Sequence, residues 1–393
     1  WISVTGETEV FLQGGGSGGI FWVESNSAFI GSINNVSVKE ADLDNVPRID
    51  YTGGGCPHIL AEPQRTNLIT YSNSFTSAGW STFRGTITAN SITSPDGNLN
   101  ASRYQEDGQT GSHMFRRQSL SLTNGLSYTG SIFAKKGELT SIILQSNSSS
   151  RWVASATFDL ENGLVTSGTG IIENHGNGWY RCSISGNAVQ TTGDAGLEVI
   201  TSIGVGRDGD GLYAYGAQFE QGSYATSYIP TSGATVTRNQ DQFTRDGISS
   251  LINSTEGVLF VEMAALSDDL TYKMISLSDG STTNRISVIF NNTSSNTIRV
   301  VIVNYSVSFD ETYTVTSILD FNKIAVKYKE NDFALWINGT EVAIDTSGAV
   351  PINLNKLSFD IGNGTYHFFG KVNQLQVYPS ALSDSELTSL TTL

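Results

Sequence analysis

Short apolar runs, each broken by Gly, Asn, Ser or Thr, follow one another along this whole chain. That pattern leaves little room for anything but strands. In Lys323–Lys329, Ile324, Val326 and Tyr328 alternate with Ala325, Lys327 and Lys329, the period-two signal of a strand with one face on a core. Asn338-Gly339, Glu161-Asn162-Gly163 and Pro95-Asp96-Gly97 fall between such runs and read as tight turns. With 41 Gly among 393 residues and only 15% charged residues, the composition suits poorly a helix, whose backbone Ser, Asn and Gly compete with or loosen. Aromatics at 10% argue against disorder. The expected fold is all-β: tandem jelly-roll β-sandwiches with one short C-terminal helix. Strands this closely spaced favour sandwiches over βαβ units. The helix is announced by Ser383 and Glu386, an S-x-x-E capping box ahead of Leu387 and Leu390.

Length and patterning divide the chain into modules. Residues 1–40 read as the C-terminal remnant of a jelly-roll domain. Residues 41–68 are a connector rich in Pro and Gly. A jelly roll spans 69–230, with strands expected at Ser127–Ala134, Trp179–Ser185, Leu197–Val205 and Leu212–Glu220. Residues 231–252, polar and without periodicity, read as an exposed linker. A second jelly roll spans 253–393. The chain begins at Trp1 and reads as part of something longer, so the missing targeting signal carries no weight.

The net charge of −15 argues against nucleic acid, which needs a basic face, and against an anionic membrane surface. No apolar run approaches the roughly 20 residues that span a bilayer, so no membrane insertion is expected. Cys56 and Cys182 make no disulfide framework, and His58, His113, His175 and His367 are scattered. No nucleophile with a base stands out: Gly111-Ser112-His113 lacks the elbow pattern, and no catalysis is expected. Asp208 and Asp210, flanking Gly209, offer hard oxygen ligands to calcium, although a solvated turn in an acidic chain is the favoured reading. Asp360–Gly364 poses the same choice.

Sugars present apolar C–H faces and polar edges, so glycan sites pair flat aromatic rings with hydrogen-bonding groups. Trp152, with Arg151 before it and the polar run Ser146–Ser150 ahead, is the leading platform candidate. Trp80 is another. Trp336 shares a strand face with Ala334, opposite Phe333, Leu335 and Ile337; the bulkier face suits the core, leaving Trp336 outside as a third. Trp179 is expected in or against the core, and Arg116-Arg117 on a solvated edge.

Several runs resemble known families. Phe369–Tyr378, followed by Ala381–Leu387, together with Ala334–Gly339, resembles the closing part of laminin-G-like, concanavalin-A-like jelly rolls. Asn67–Trp80, Tyr128–Gly137, Asn177–Arg181 and Tyr215–Glu220 with Tyr228–Pro230 resemble jelly-roll carbohydrate-binding modules. Leu60–Leu68 (LAEPQRTNL) resembles a connector that recurs in bacteriophage tail and fibre proteins. The resemblance implies a virion-surface protein that binds host cell-surface glycans beside other virion structural proteins, most plausibly as a homotrimer. The alternatives are the accessory binding part of a secreted polysaccharide-degrading enzyme and a purely structural virion decoration protein.

Overall fold

The computed structural model describes residues 46–51, 56–146, 152–190, 195–290 and 293–393. The expected remnant at 1–40 and Arg151 lie outside them. From Pro47 to Leu393 the chain forms one compact unit built as two jelly-roll sandwiches, with every strand pairing antiparallel.

In the N-terminal sandwich one sheet runs in the order Leu164–Gly168, Ser155–Asp159, Ser141–Ser146, Ala195–Val205, Thr110–Leu120, Trp80–Phe83. The facing sheet runs Gly170–Asn174, Trp179–Asn187, Ser127–Lys136, Gly211–Gln221, Leu99–Glu106, Gly85–Thr93. Alternate residues from both meet in a core that includes Phe115, Ile142, Phe158, Leu197 and Phe219. Burying each such side chain is worth about 1.5–3 kcal/mol.

The C-terminal sandwich joins a seven-stranded sheet to a six-stranded one. The six-stranded sheet runs Thr244–Arg245, Lys356–Ser358, Lys273–Ser278, Asn284–Phe290, Thr297–Asn304, Ser306–Thr314. Ile275, Leu277, Ile286, Val288, Val300 and Ile302 point inward; Met274, Ile289, Val301 and Val303 take the other face. The helix Asp384–Thr391 forms as its capping box requires, with the Glu386 carboxylate accepting from the Ser383 N–H at 2.8 Å. It lies on the outer face of the seven-stranded sheet and buries Leu387 against Phe260, Ala334 and Trp336.

The segments read as connectors are structural. In Leu60–Leu68, Ala61 enters the C-terminal core, while Asn67, fully buried, serves the N-terminal sandwich. The Asn67 amide donates to the Ala217 and Ile229 carbonyls at 3.2 and 2.9 Å and accepts from the Ile69 and Phe219 N–H groups at 3.1 Å each. Between them Glu62 gathers cations. Arg48 Nη2 sits 2.6 Å from Glu62 Oε2 and 2.7 Å from Asp241 Oδ2, Arg238 donates to the same Glu62 oxygen, and the Ser227 N–H reaches Oε1 at 2.9 Å.

The polar stretch 231–252 is therefore no free linker. Val236–Arg238 pairs with Arg65–Asn67, and Thr244–Arg245 with Lys356–Ser358. Phe243, Ile248 and Ile252 are buried in the C-terminal core. These apolar residues are too irregularly spaced to register as a strand, and only their destinations give them meaning.

Burial would raise the Glu62 carboxyl, but Arg238 and Arg48 outweigh it and hold the group below the usual carboxylate range. Leaving the two half-buried guanidinium groups without that buried charge is costly. Glu62→Gln should lower stability by about 3–5 kcal/mol, the cost typical of breaking a buried ion pair, read as a lower urea midpoint. Limited trypsin digestion should spare Arg238 in the native chain and cut there in the variant.

Candidate functional site

The tryptophans chosen from sequence are packed inside. Trp152 is 0% exposed; its Nε1–H donates to the Gly186 carbonyl at 3.0 Å and its ring meets Phe219 edge-on at 4.9 Å. It cannot serve as a platform. Trp80 is buried against Phe75, with Nε1 donating to the Tyr71 carbonyl at 2.8 Å. Trp336 does lie outside its sheet as expected, yet the C-terminal helix covers it. Trp179 is buried with Phe133 and Tyr215, as expected. For Trp152 and Trp336 the cover comes from elements distant in sequence, which local patterning does not reveal, whereas Trp80 is closed in by the nearby Phe75 and Tyr71 together with Phe115.

Arg116 pairs with Glu198 at 3.1 Å over the Phe83 ring, whereas Arg117 is buried rather than solvated. Cys182 is buried and Cys56 exposed, both as free thiols. Burial pushes the Cys182 thiol above its ordinary range. Asp208 lies exposed in the turn closed by the Asp210 N–H donating to the Arg207 carbonyl. Among the described residues no group of three or more His, Cys, Asp or Glu is placed to hold a metal ion. At the same rim Ser202 Oγ lies 3.2 Å from His113 Nδ1, and His113 Nε2 3.2 Å from the Asp107 carbonyl. His113 is 0% exposed, so this trio ties two hairpins together rather than facing a substrate.

The arrangement that offers a ligand both rings and hydrogen-bonding groups lies elsewhere, on the outer face of the six-stranded C-terminal sheet. Lys273 points inward, where its ammonium is held by Asp269 Oδ1 at 2.6 Å and by the Thr271 carbonyl and hydroxyl. That latch turns the preceding residue, Tyr272, outward. The Phe359–Phe368 loop then places Tyr366, in the left-handed backbone region, against it. Asp360 and Asn363 hold the loop by accepting from the Gly362 and Thr365 N–H groups. The two exposed rings meet edge-on with centroids 5.6 Å apart.

Next along the face comes Arg299, whose Nε and Nη2 form a two-pronged contact with Asp310 at 2.6 and 2.5 Å. Arg285 follows on the neighbouring strand, with Nη1 donating to the Thr282 carbonyl. Met274, Ile289, Val301 and Val303 form an apolar floor. Rings, a planar ion pair and a second guanidinium thus lie in a row over an apolar base. Sequence reasoning passed these residues over. Their trace is the polar phase of each strand: Arg285 and Ser287, then Arg299, then Asp310, alternate with the core residues.

No family model and no curated protein matches this chain. Among solved structures it is similar to the CBM40 module of a Ruminococcus gnavus IT-sialidase, at 17% identity and a TM-score of 0.32, over 38% of this chain and 99% of that one. It is also similar to domains LG4-5 of the mouse laminin α1 chain, at 9% identity and a TM-score of 0.25, over 81% of this chain and 97% of that one.

Two outcomes follow from this packing. Trp152→Ala should cost about 3–5 kcal/mol, as large-to-small core changes do, while leaving the ligand affinity of the folded chain unchanged; chemical unfolding and binding measured side by side check both. For Asp269, burial opposes ionisation, but hydrogen bonds from Lys273, Thr271 and Ser267 bring its pKa from 3.8 to about 2. A carboxyl depressed by folding stabilises above its unfolded pKa and ceases to do so as pH falls through the folded one. Stability should therefore drop between pH 3.8 and about 2, and Asp269→Asn should flatten that part of the profile.

Proposed function

We propose that this chain binds glycans on the outer face of its C-terminal six-stranded sheet, with Tyr272 and Tyr366 as platforms and Arg299 and Asp310 as hydrogen-bonding partners. The observation that carries this reading is the exposed, edge-on ring pair beside the two-pronged Arg299–Asp310 contact. An exposed aromatic pair accepts the apolar face of a sugar. A guanidinium and a carboxylate already held in one plane meet its hydroxyls without further ordering, which keeps the entropy cost low. The all-β sandwich architecture supports the same reading, as carbohydrate-binding modules and laminin-G domains use such folds.

The setting we propose is a virion surface, as part of a tail fibre or fibre-like protein that recognises host cell-surface glycans. The support is the likeness of Leu60–Leu68 to connectors of bacteriophage tail proteins. Beside other virion proteins, and as a homotrimer, several shallow sites on one particle would raise avidity by about 10²–10⁴ without new contacts.

A glycan array probed with the 393-residue chain tests the reading. Tyr272→Ala and Tyr366→Ala should each weaken binding at least about tenfold, a loss of roughly 1.4 kcal/mol, with the unfolding midpoint little changed because both rings are exposed. Full binding by the double variant removes this face from consideration.

A further inference from the structure

The row of side chains on this face is asymmetric in charge. At its aromatic end, Arg299 is neutralised by the two-pronged contact with Asp310. At the other end, among the described residues, Arg285 has no carboxylate within ion-pair distance; the charges that act on it are Arg299, which repels, and Asp310, already engaged. Strand register explains the spacing. Asp310 faces Val301, while Arg299 and Arg285 sit one strand repeat to either side, beside Thr312 and Val303. Burial and Arg299 together push the Arg285 guanidinium below its ordinary value, and Asp310 only partly offsets them. The partly exposed group therefore gains from any anion brought to it. Its other anchor is neutral, the Thr282 carbonyl.

The net charge is −15, and Arg48, Arg103, Arg116 and Arg238 each have an acidic partner where, among the described residues, Arg285 has none. Of the next cations on the face, Lys356 has Asp246 at 3.5 Å. An uncompensated cation at the end of a ring-bearing row suits a ligand whose own charge lies a sugar unit or more away from the ring that stacks. A guanidinium fork matches a planar carboxylate in two parallel hydrogen bonds.

Resting on the glycan reading of this face, we propose that the site selects acidic glycans, with Arg285 taking the carboxylate of a uronic-type sugar while Tyr272 and Tyr366 hold a neighbouring residue. Affinity then has two separable parts. Stacking is indifferent to salt, whereas the Arg285 contact weakens as salt screens it.

The test uses the whole chain and a panel of uronic-acid oligosaccharides, each beside its carboxyl-reduced counterpart, with sulfated oligosaccharides as a third arm. Native protein should bind the carboxylate form about tenfold more tightly than the reduced form, as hydrogen bonds to charged groups allow. Rising salt should erode that preference. Arg285→Gln should bring the ratio close to one by weakening the carboxylate form far more than the reduced form, with an unaltered unfolding midpoint showing that the fold is intact. Tyr366→Ala should weaken both forms alike. Equal binding of the two forms, a preference that survives Arg285→Gln, or preference for sulfated over carboxylated sugars overturns this inference while the glycan reading stands. Binding to no member of the panel overturns both.

Discussion

The Glu62 carboxylate is the point on which the two sandwiches depend. It lies between Ala61, in one core, and Asn67, which organises the other, and it draws in Arg48, Arg238 and the Ser227 N–H. Ion pairs this buried do not stabilise by attraction alone, because removing charges from water costs several kcal/mol per ion. What they do is penalise any arrangement in which a partner is missing. Arg48 comes from the first part of the connector, Arg238 and Asp241 from the stretch between the sandwiches, and Ser227 from the end of the N-terminal one. Four separate stretches thus have to arrive together.

Asn67 applies the same logic without charge. Its side-chain amide uses both donors and its oxygen accepts twice, all against main-chain groups. These satisfy backbone atoms where the chain enters the sandwich and no sheet partner is available. The nearby Glu220, fully buried, accepts from the Thr226 N–H and hydroxyl and from the Gln218 side-chain amide. Buried polar residues therefore govern the route of the chain, while the apolar cores supply the driving force.

This division explains where exposed rings are left for a candidate site. The aromatic side chains that fill the sandwiches, Trp152, Trp80 and Phe219 among them, are committed to packing. An exposed pair of rings in contact remains where the Phe359–Phe368 loop meets the six-stranded sheet. Tyr272 faces outward there because Lys273 is locked inward by Asp269 and Thr271. An internal ion pair thus sets the orientation of a surface ring, and acid that releases the pair should loosen the ring as well.

The all-β class, most strands, the capping box at Ser383–Glu386 and the burial of Trp179 were determined by the sequence alone, since each follows from spacing within one short segment. The Leu60–Leu68 run was conspicuous there too, but its work was not, because Asn67 and Glu62 each depend on partners more than 150 residues away. The same limit accounts for Trp152 and Trp336. A strand's period tells which side chains share a face; whether a helix or another sheet then covers that face depends on contacts between distant elements. Tyr272, Tyr366, Arg285, Arg299 and Asp310 come from five strand or loop segments and became a row only when antiparallel register set them side by side. Tertiary structure alone decided the candidate site, because register and cover are properties of pairs of segments rather than of any one.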